Sequence, residues 1–173
     1  MGGQQRVYNQ KIRSTETLKK MFRAMELIAA SRISKARERA GYAAPYARAI
    51  TRAVSAVATH SSVEHRLLTE RTDTQRVAML VVTADRGQAG AYSASVLREA
   101  ERLRDVLRSE GKEVALYVAG RRGVSFYQFR GIEVVKSWLG DSDNPRVEVA
   151  EDIADTLLEA FTADPEQGGV AEL

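Results

Sequence analysis

A chain of 173 residues and 19.1 kDa has room for one ordinary domain, or for a small domain with one extended element. Its 44% hydrophobic and 28% charged residues, with only three prolines, exclude a disordered or low-complexity class, and the absence of cysteine excludes disulfide scaffolds, thiolate nucleophiles and cysteine-ligated zinc or iron–sulfur centres. The net charge of +3 hides an asymmetry: residues 1–52 carry 12 of the 26 Lys/Arg and three of the 23 Asp/Glu, which gives them +9 and leaves −6 for the remainder.

The first ten residues, MGGQQRVYNQ, lack the apolar centre of a signal peptide. The longest strongly apolar runs, Val77 to Val82 and Val114 to Ala119, are strand-sized, well short of the ~20 residues of a membrane span. A cytosolic chain with no direct membrane span is expected.

From about Gln4 to Thr59 the composition predicts one very long helix. Apolar or small residues recur at Leu18, Phe22, Met25, Ala29, Ile33, Ala36, Ala40, Ala43, Ala47, Ile50, Val54 and Val57, a mean step of about 3.5 residues that matches a coiled-coil seam. Such a helix would extend ~84 Å, too far to lie wholly against a globule built from the rest of the chain. Gly41 and Pro45 admit a second reading, two helices folded back as a hairpin, but the stripe keeps its phase through Ala40, Ala43 and Ala47 and favours a continuous, kinked helix. No segment of residues 60–173 has the length to cover the seam, so its partner must come from elsewhere. The charges off the seam, among them Lys19, Lys20, Arg23, Arg32, Lys35, Arg37 and Arg39, suit a large acidic partner surface better than a merely solvated face.

Residues 60–75 read as a connector, with His60 and His65 as solvent-exposed histidines rather than metal ligands. An apolar strand then ends at a glycine turn, and a helix follows with Leu97, Ala100, Leu103 and Leu107 on one face. VALYVAG is a second strand, GRRGVSFYQFRG a short helix or turn, and IEVVKSWL a third strand. Asn144 is expected to cap a last helix with Pro145 in its first turn and Val149, Ile153, Leu157 and Phe161 inward. The fold class is therefore α/β: a long N-terminal coiled-coil helix (1–59), the connector (60–75) and a Rossmann-like parallel β-α-β domain (76–173) that stops before an expected last strand.

The turn after the first strand, Thr83 to Ala91, has Gly87 and Gly90 but neither the G-x-G-x-x-G nor the P-loop spacing, and Gly120 and Gly123 are read as tight turns. No cofactor is expected. Glu148, Glu151, Asp152, Asp155 and Glu159 read as a solvated helix face, and the Asp141–Asn144 stretch fails as a calcium loop at Pro145 and Arg146. No catalytic or metal-ligating set emerges, which leaves a mechanical or binding protein. A nucleic-acid-binding protein with a basic helix, and a small nucleotide-binding enzyme, are the alternatives.

The stretches Ile12-Arg13-Ser14, Leu18-Lys19-Lys20, Arg23 to Arg32 and Pro45-Tyr46-Ala47, with the turn Asp85-Arg86-Gly87 to Gly90-Ala91-Tyr92, closely resemble the gamma subunits of F-type ATP synthases, in this order and across essentially the whole chain. Twenty arginines against six lysines resemble the usage of a high-GC bacterium such as an actinobacterium. The resemblance implies a non-catalytic rotor shaft without cofactor or metal, peripheral on the cytoplasmic face of the cell membrane. It would couple proton-driven rotation to conformational change in the ring of alpha and beta subunits. Its implied partners are those subunits, the epsilon subunit, the membrane c-ring and the subunit's own carboxy-terminal helix, which this sequence does not include, so a fragment is expected; nucleic acid is not among them. It also implies contact with levers of the catalytic subunits at Lys20, Arg23, Met25, Asp85, Arg86, Gly87 and Gln88, and a seam at Leu18, Phe22, Met25, Ala29, Ile33 and Ala36.

Overall fold

The computed structural model describes residues 2–60, 69–87, 89–142 and 145–173. It divides into two compact units, Met1–Val63 and Glu64–Leu173.

The first unit is helix α1, Gly2–His60, which is 59 residues long and runs without a break through Pro45. The hairpin reading of Gly41 and Pro45 is thereby excluded. A proline inside a helix lacks the N–H for the carbonyl four residues back and crowds that carbonyl. Here that residue is Gly41, the position best able to tilt away. His60 is the last residue of α1 and exposed, rather than part of a connector; His65 lies outside the described residues. From Gly3 to His60 every residue except Ala44 is exposed.

The second unit is built on a parallel sheet of three strands in the order β1-β2-β3: β1 Arg76–Val82, β2 Glu113–Ala119 and β3 Lys136–Trp138. The register sets Val77 beside Val114 and Val82 beside Ala119, while Tyr117 and Ala119 face Lys136 and Trp138. Because neighbouring strand residues point to opposite faces, both faces need cover. Helices α2 (Tyr92–Ser109) and α3 (Arg121–Phe129) close one of them, over Met79, Val81, Leu116 and Val118, with Tyr127 of α3 fully buried against them. Helix α4 (Val147–Thr162) closes the other, where Leu157, Ala160 and Phe161 pack against Ala78, Ala115, Tyr117 and Val170. A short 3-10 turn, Pro165–Gln167, leads back to the sheet, and Glu172 forms one parallel bridge with Val77.

Three expectations need correction. The third strand is three residues rather than eight; Val134 instead packs against the core and Val135 N–H donates to the Leu116 carbonyl at 2.8 Å. The α2 stripe is Leu97, Ala100 and Arg104, with Leu103 49% exposed, because the 3-4 spacing that follows the buried face selects residue 104. Arg104 is tolerated there because its guanidinium meets the Glu101 carboxylate at 2.7 Å. Finally, α4 starts at Val147 with Arg146 at its cap and Pro145 before it. Arg146 Nε donates to Asp141 at 2.8 Å, which holds that residue in an extended conformation; Asn144 lies outside the described residues.

Candidate functional site

Two groups of residues merit a functional reading, one in each unit. On α1 the seam is uncovered: Leu18, Phe22, Met25 and Ile33 are 40–59% exposed, Ile50, Val54 and Val57 45–52%, and Ala29 and Ala36 are exposed as well. Isolated apolar residues on a surface are ordinary, but a contiguous stripe of this length is the mark of an interaction surface. Phe22, Ala29, Ala36, Ala43, Ile50 and Val57 repeat every seven residues, as do Ile33, Ala40, Ala47 and Val54. The steps Met25 to Ala29 and Ala29 to Ile33 are both four residues, a stutter of the kind that locally unwinds a supercoil. Lys20 and Arg23 flank this stretch, and among the described residues none of the α1 lysines or arginines has an ion-pair partner. Helix α1 thus leaves both its charges and its apolar stripe exposed.

In the second unit the turn after β1 is fastened on three sides. The Asp85 carboxylate accepts from Arg121 N–H at 2.9 Å through Oδ1 and from Ser142 N–H at 3.0 Å through Oδ2, while Asp85 N–H donates to Ser142 Oγ at 2.9 Å. Partial burial alone would push this carboxyl up, but the backbone N–H groups of Ser142, Gly140 and Arg121 and the Ser142 hydroxyl outweigh it and bring its pKa to about 2. Beneath it, Thr83 Oγ1 accepts from Gly123 N–H at 2.9 Å, and Ala84 N–H donates to Ser93 Oγ at 3.2 Å. Gly120, with φ of +98°, passes so close to the Thr83 carbonyl that a Cβ would strike it. The turn is thus pinned to the start of α3, to the first turn of α2 and to the loop before α4.

This arrangement gives Asp85 an inward carboxylate and leaves Arg86 and Gly87 exposed at the tip. Gly87 lies against the Arg122 guanidinium, which occupies the space a side chain would take. Gln88 lies outside the described residues. The holding role of Asp85 escapes sequence reasoning because its partners are backbone groups 36 and 57 residues away. Asp152, read as part of a solvated face, also has a structural partner set: it accepts from Trp138 Nε1–H and from Lys136 Nζ, the latter at 3.0 Å, and joins β3 to α4.

Among the described residues no three or more His, Asp or Glu side chains gather into a metal-binding group, and no helix is long and apolar enough to cross a membrane.

A family model described as ATP synthase matches residues 4–173. The ATP synthase gamma chain of Beutenbergia cavernae is 70% identical over 173 residues, covering 100% of this chain and 58% of the relative. Those of Acidothermus cellulolyticus and Nocardioides sp. are each 55% identical, over 173 and 168 residues, covering 100% and 97% of this chain and 58% and 55% of the relatives. The chain therefore spans somewhat more than half the length of the curated relatives it matches. It belongs to the ATP synthase gamma-chain family.

Proposed function

We propose that this chain supplies the non-catalytic central shaft of a proton-translocating F-type ATP synthase, coupling proton-driven rotation to conformational change in the alpha/beta ring. The observation that carries the proposal is the uncovered apolar seam of α1 on a segment of charge +9, in a chain of this family. The seam suits a second long helix, with which α1 would form a coiled coil that unwinds locally at the Met25–Ile33 stutter. The alanines Ala29, Ala36, Ala40, Ala43 and Ala47 would let the two backbones approach closely.

A torque-bearing shaft must be stiff along its length and must engage successive copies of one partner without binding any of them permanently. A continuous helix pair meets the first need. A basic surface facing acidic levers meets the second, since charge attraction is long-ranged and tolerant of register. On this reading Lys20, Arg23 and Met25 meet the levers on the shaft, and Arg86, Gly87 and Gln88 meet them at the turn. Asp85 acts there by holding the turn rather than by touching the partner. Helix α1, Gly2–His60, is the shaft, and residues 76–173 are a Rossmann-like domain that faces the epsilon subunit and the membrane c-ring, peripheral on the cytoplasmic face.

The test is to mix the chain with a hexamer of alpha and beta subunits from the Beutenbergia cavernae enzyme and follow co-elution in gel filtration. One chain per hexamer is expected, with affinity reduced roughly tenfold by Lys20→Glu with Arg23→Glu. No association, or association indifferent to the charge reversal, refutes the reading.

A further inference from the structure

Residues 69–75 precede β1, and one side chain ties this segment to the far end of the second unit. Arg71 Nη1 donates to the carbonyls of Phe161, of Ala163 at 2.9 Å and of Val170 at 3.3 Å, groups 90 to 99 residues further along the chain. Phe161 lies in the last turn of α4 and Ala163 caps it, where backbone carbonyls lack partners within the helix and the helix dipole favours a cation. Gly169 permits the convergence, since a Cβ there would strike the Ala163 carbonyl. The other edge of the guanidinium grips Asp73, through Nε at 3.0 Å and Nη2 at 2.8 Å. The cation is therefore paired although its side chain is only 9% exposed.

What this contact resists follows from the place of β1 in the sheet. Among the described residues, β1 is held by its ladder to β2 on one side and by the single bridge from Val77 to Glu172 on the other. A pull on the chain just before such a strand opens the ladder one bond at a time. The first to yield would be Glu113 N–H to the Gln75 carbonyl, at 3.0 Å, each bond of this kind being modest alone. A pull that first meets Arg71 loads three carbonyls at once through charge-assisted bonds. Behind them stand α4 and the fully buried Val170, which packs with Leu157, Ala160 and Phe161 in the core.

We propose that Arg71 is a mechanical clasp: load carried along the chain from α1 enters the α/β unit at the end of α4 and at Val170, and β1 is shielded from peeling. Arg71 is in this sense a positioning residue. Its use in a motor rests on the shaft reading, but the experiment needs no partner subunit, so the two fail separately.

The experiment is a constant-force measurement in optical tweezers on the 173-residue chain, which has no cysteine of its own, with handles on His60→Cys and Ser109→Cys. Release of residues 71–75 appears as an early extension of up to roughly 1 nm before the unit unfolds. The waiting time for that step should shorten roughly tenfold in Arg71→Ala and about threefold in Asp73→Ala. Asp73 is exposed, so its variant decides the outcome should Arg71→Ala fail to fold by circular dichroism. Handles on Ser109→Cys and Phe129→Cys load α2 and α3 and bypass the segment; there the unfolding time of either variant should stay within about twofold of the wild type. Waiting times unchanged by the variants with the first pair of handles overturn the proposal. Equal shortening with both pairs also overturns it, by making Arg71 a general stabiliser of the unit rather than the point where load enters.

Discussion

Replacing Asp85 by asparagine tests whether the turn after β1 is held by a carboxylate charge. The native carboxyl titrates at about 2 against an ordinary value of 3.8. At about 1.4 kcal/mol per pH unit that gap corresponds to about 2.5 kcal/mol, which solvent screening of a partly exposed group reduces to about 1–2 kcal/mol. Because the folded-state value is the lower one, this stabilisation is complete above about pH 4 and disappears as pH falls through about 2. The amide of the Asp85→Asn variant would keep one acceptor oxygen for Arg121 N–H or Ser142 N–H and lose the charge. The assay is urea unfolding followed by the emission of Trp138, the single tryptophan, whose ring stacks on Tyr117 at 6.4 Å between centroids. That probe reports the α/β unit by itself, unaffected by helix signal from α1. Asp85→Asn is expected to be less stable than the wild type by about 1–2 kcal/mol near pH 7, and the difference should close toward zero near pH 2. A difference that stays constant across that range would refute the assignment of the stabilisation to the charged carboxylate.

Further outcomes follow from particular contacts. Gly120→Ala puts a Cβ into the Thr83 carbonyl at a φ of +98° and should lower stability by more than about 3 kcal/mol in the same assay. Gly41→Ala, in open space within α1, should instead raise the helix signal in circular dichroism, in line with the roughly 0.5–1 kcal/mol helix preference of Ala over Gly. Tyr127 is pushed up to about 12 by burial first and by the neighbouring Glu101 second, so its contribution is present below about pH 10 and is lost as pH rises toward 12. Its buried hydroxyl lacks a hydrogen-bond partner, so Tyr127→Phe should leave neutral-pH stability unchanged or raise it by up to about 1 kcal/mol and should flatten the alkaline fall. Asp152→Ala removes the acceptor of Trp138 Nε1 and leaves Lys136 Nζ with Thr156 Oγ1, and Trp138 emission should shift to the red in the native state; an unchanged spectrum would contradict the Trp138–Asp152 link from β3 to α4.

The parts of the molecule legible in the sequence are those governed by periodicity. Helix α1 is readable because its stripe repeats through a dozen positions, so that even Gly41 and Pro45 fail to interrupt the phase. Strands β1 and β2 are readable as apolar runs, β2 buried on both faces and β1 on the α2/α3 face, with Leu80 and Val82 of β1 left exposed. What escapes is decided by tertiary partners. Arg104 displaces Leu103 from the buried stripe because the Glu101 carboxylate accompanies it inward, and hydrophobicity alone selects the leucine. The start of α4 follows the Asp141–Arg146 pair rather than the Asn-Pro signal. The turn at Asp85 could be recognised as a turn from Gly87 and Gly90, but the two backbone N–H groups that hold its carboxylate, those of Arg121 and Ser142, lie 36 and 57 residues away.

The absence of cysteine from these 173 residues makes a site-specific measurement on α1 direct, since each introduced thiol is the sole one in this segment. In an ATP synthase complex assembled on a gamma chain carrying this helix, single cysteines at positions 22, 29, 36, 43, 50 and 57 should react with a maleimide roughly tenfold more slowly than cysteines at positions 32 and 39 on the charged face. Protection recurring with the heptad period is the predicted result. Equal labelling rates all around the helix would contradict the assignment of the seam to a paired shaft.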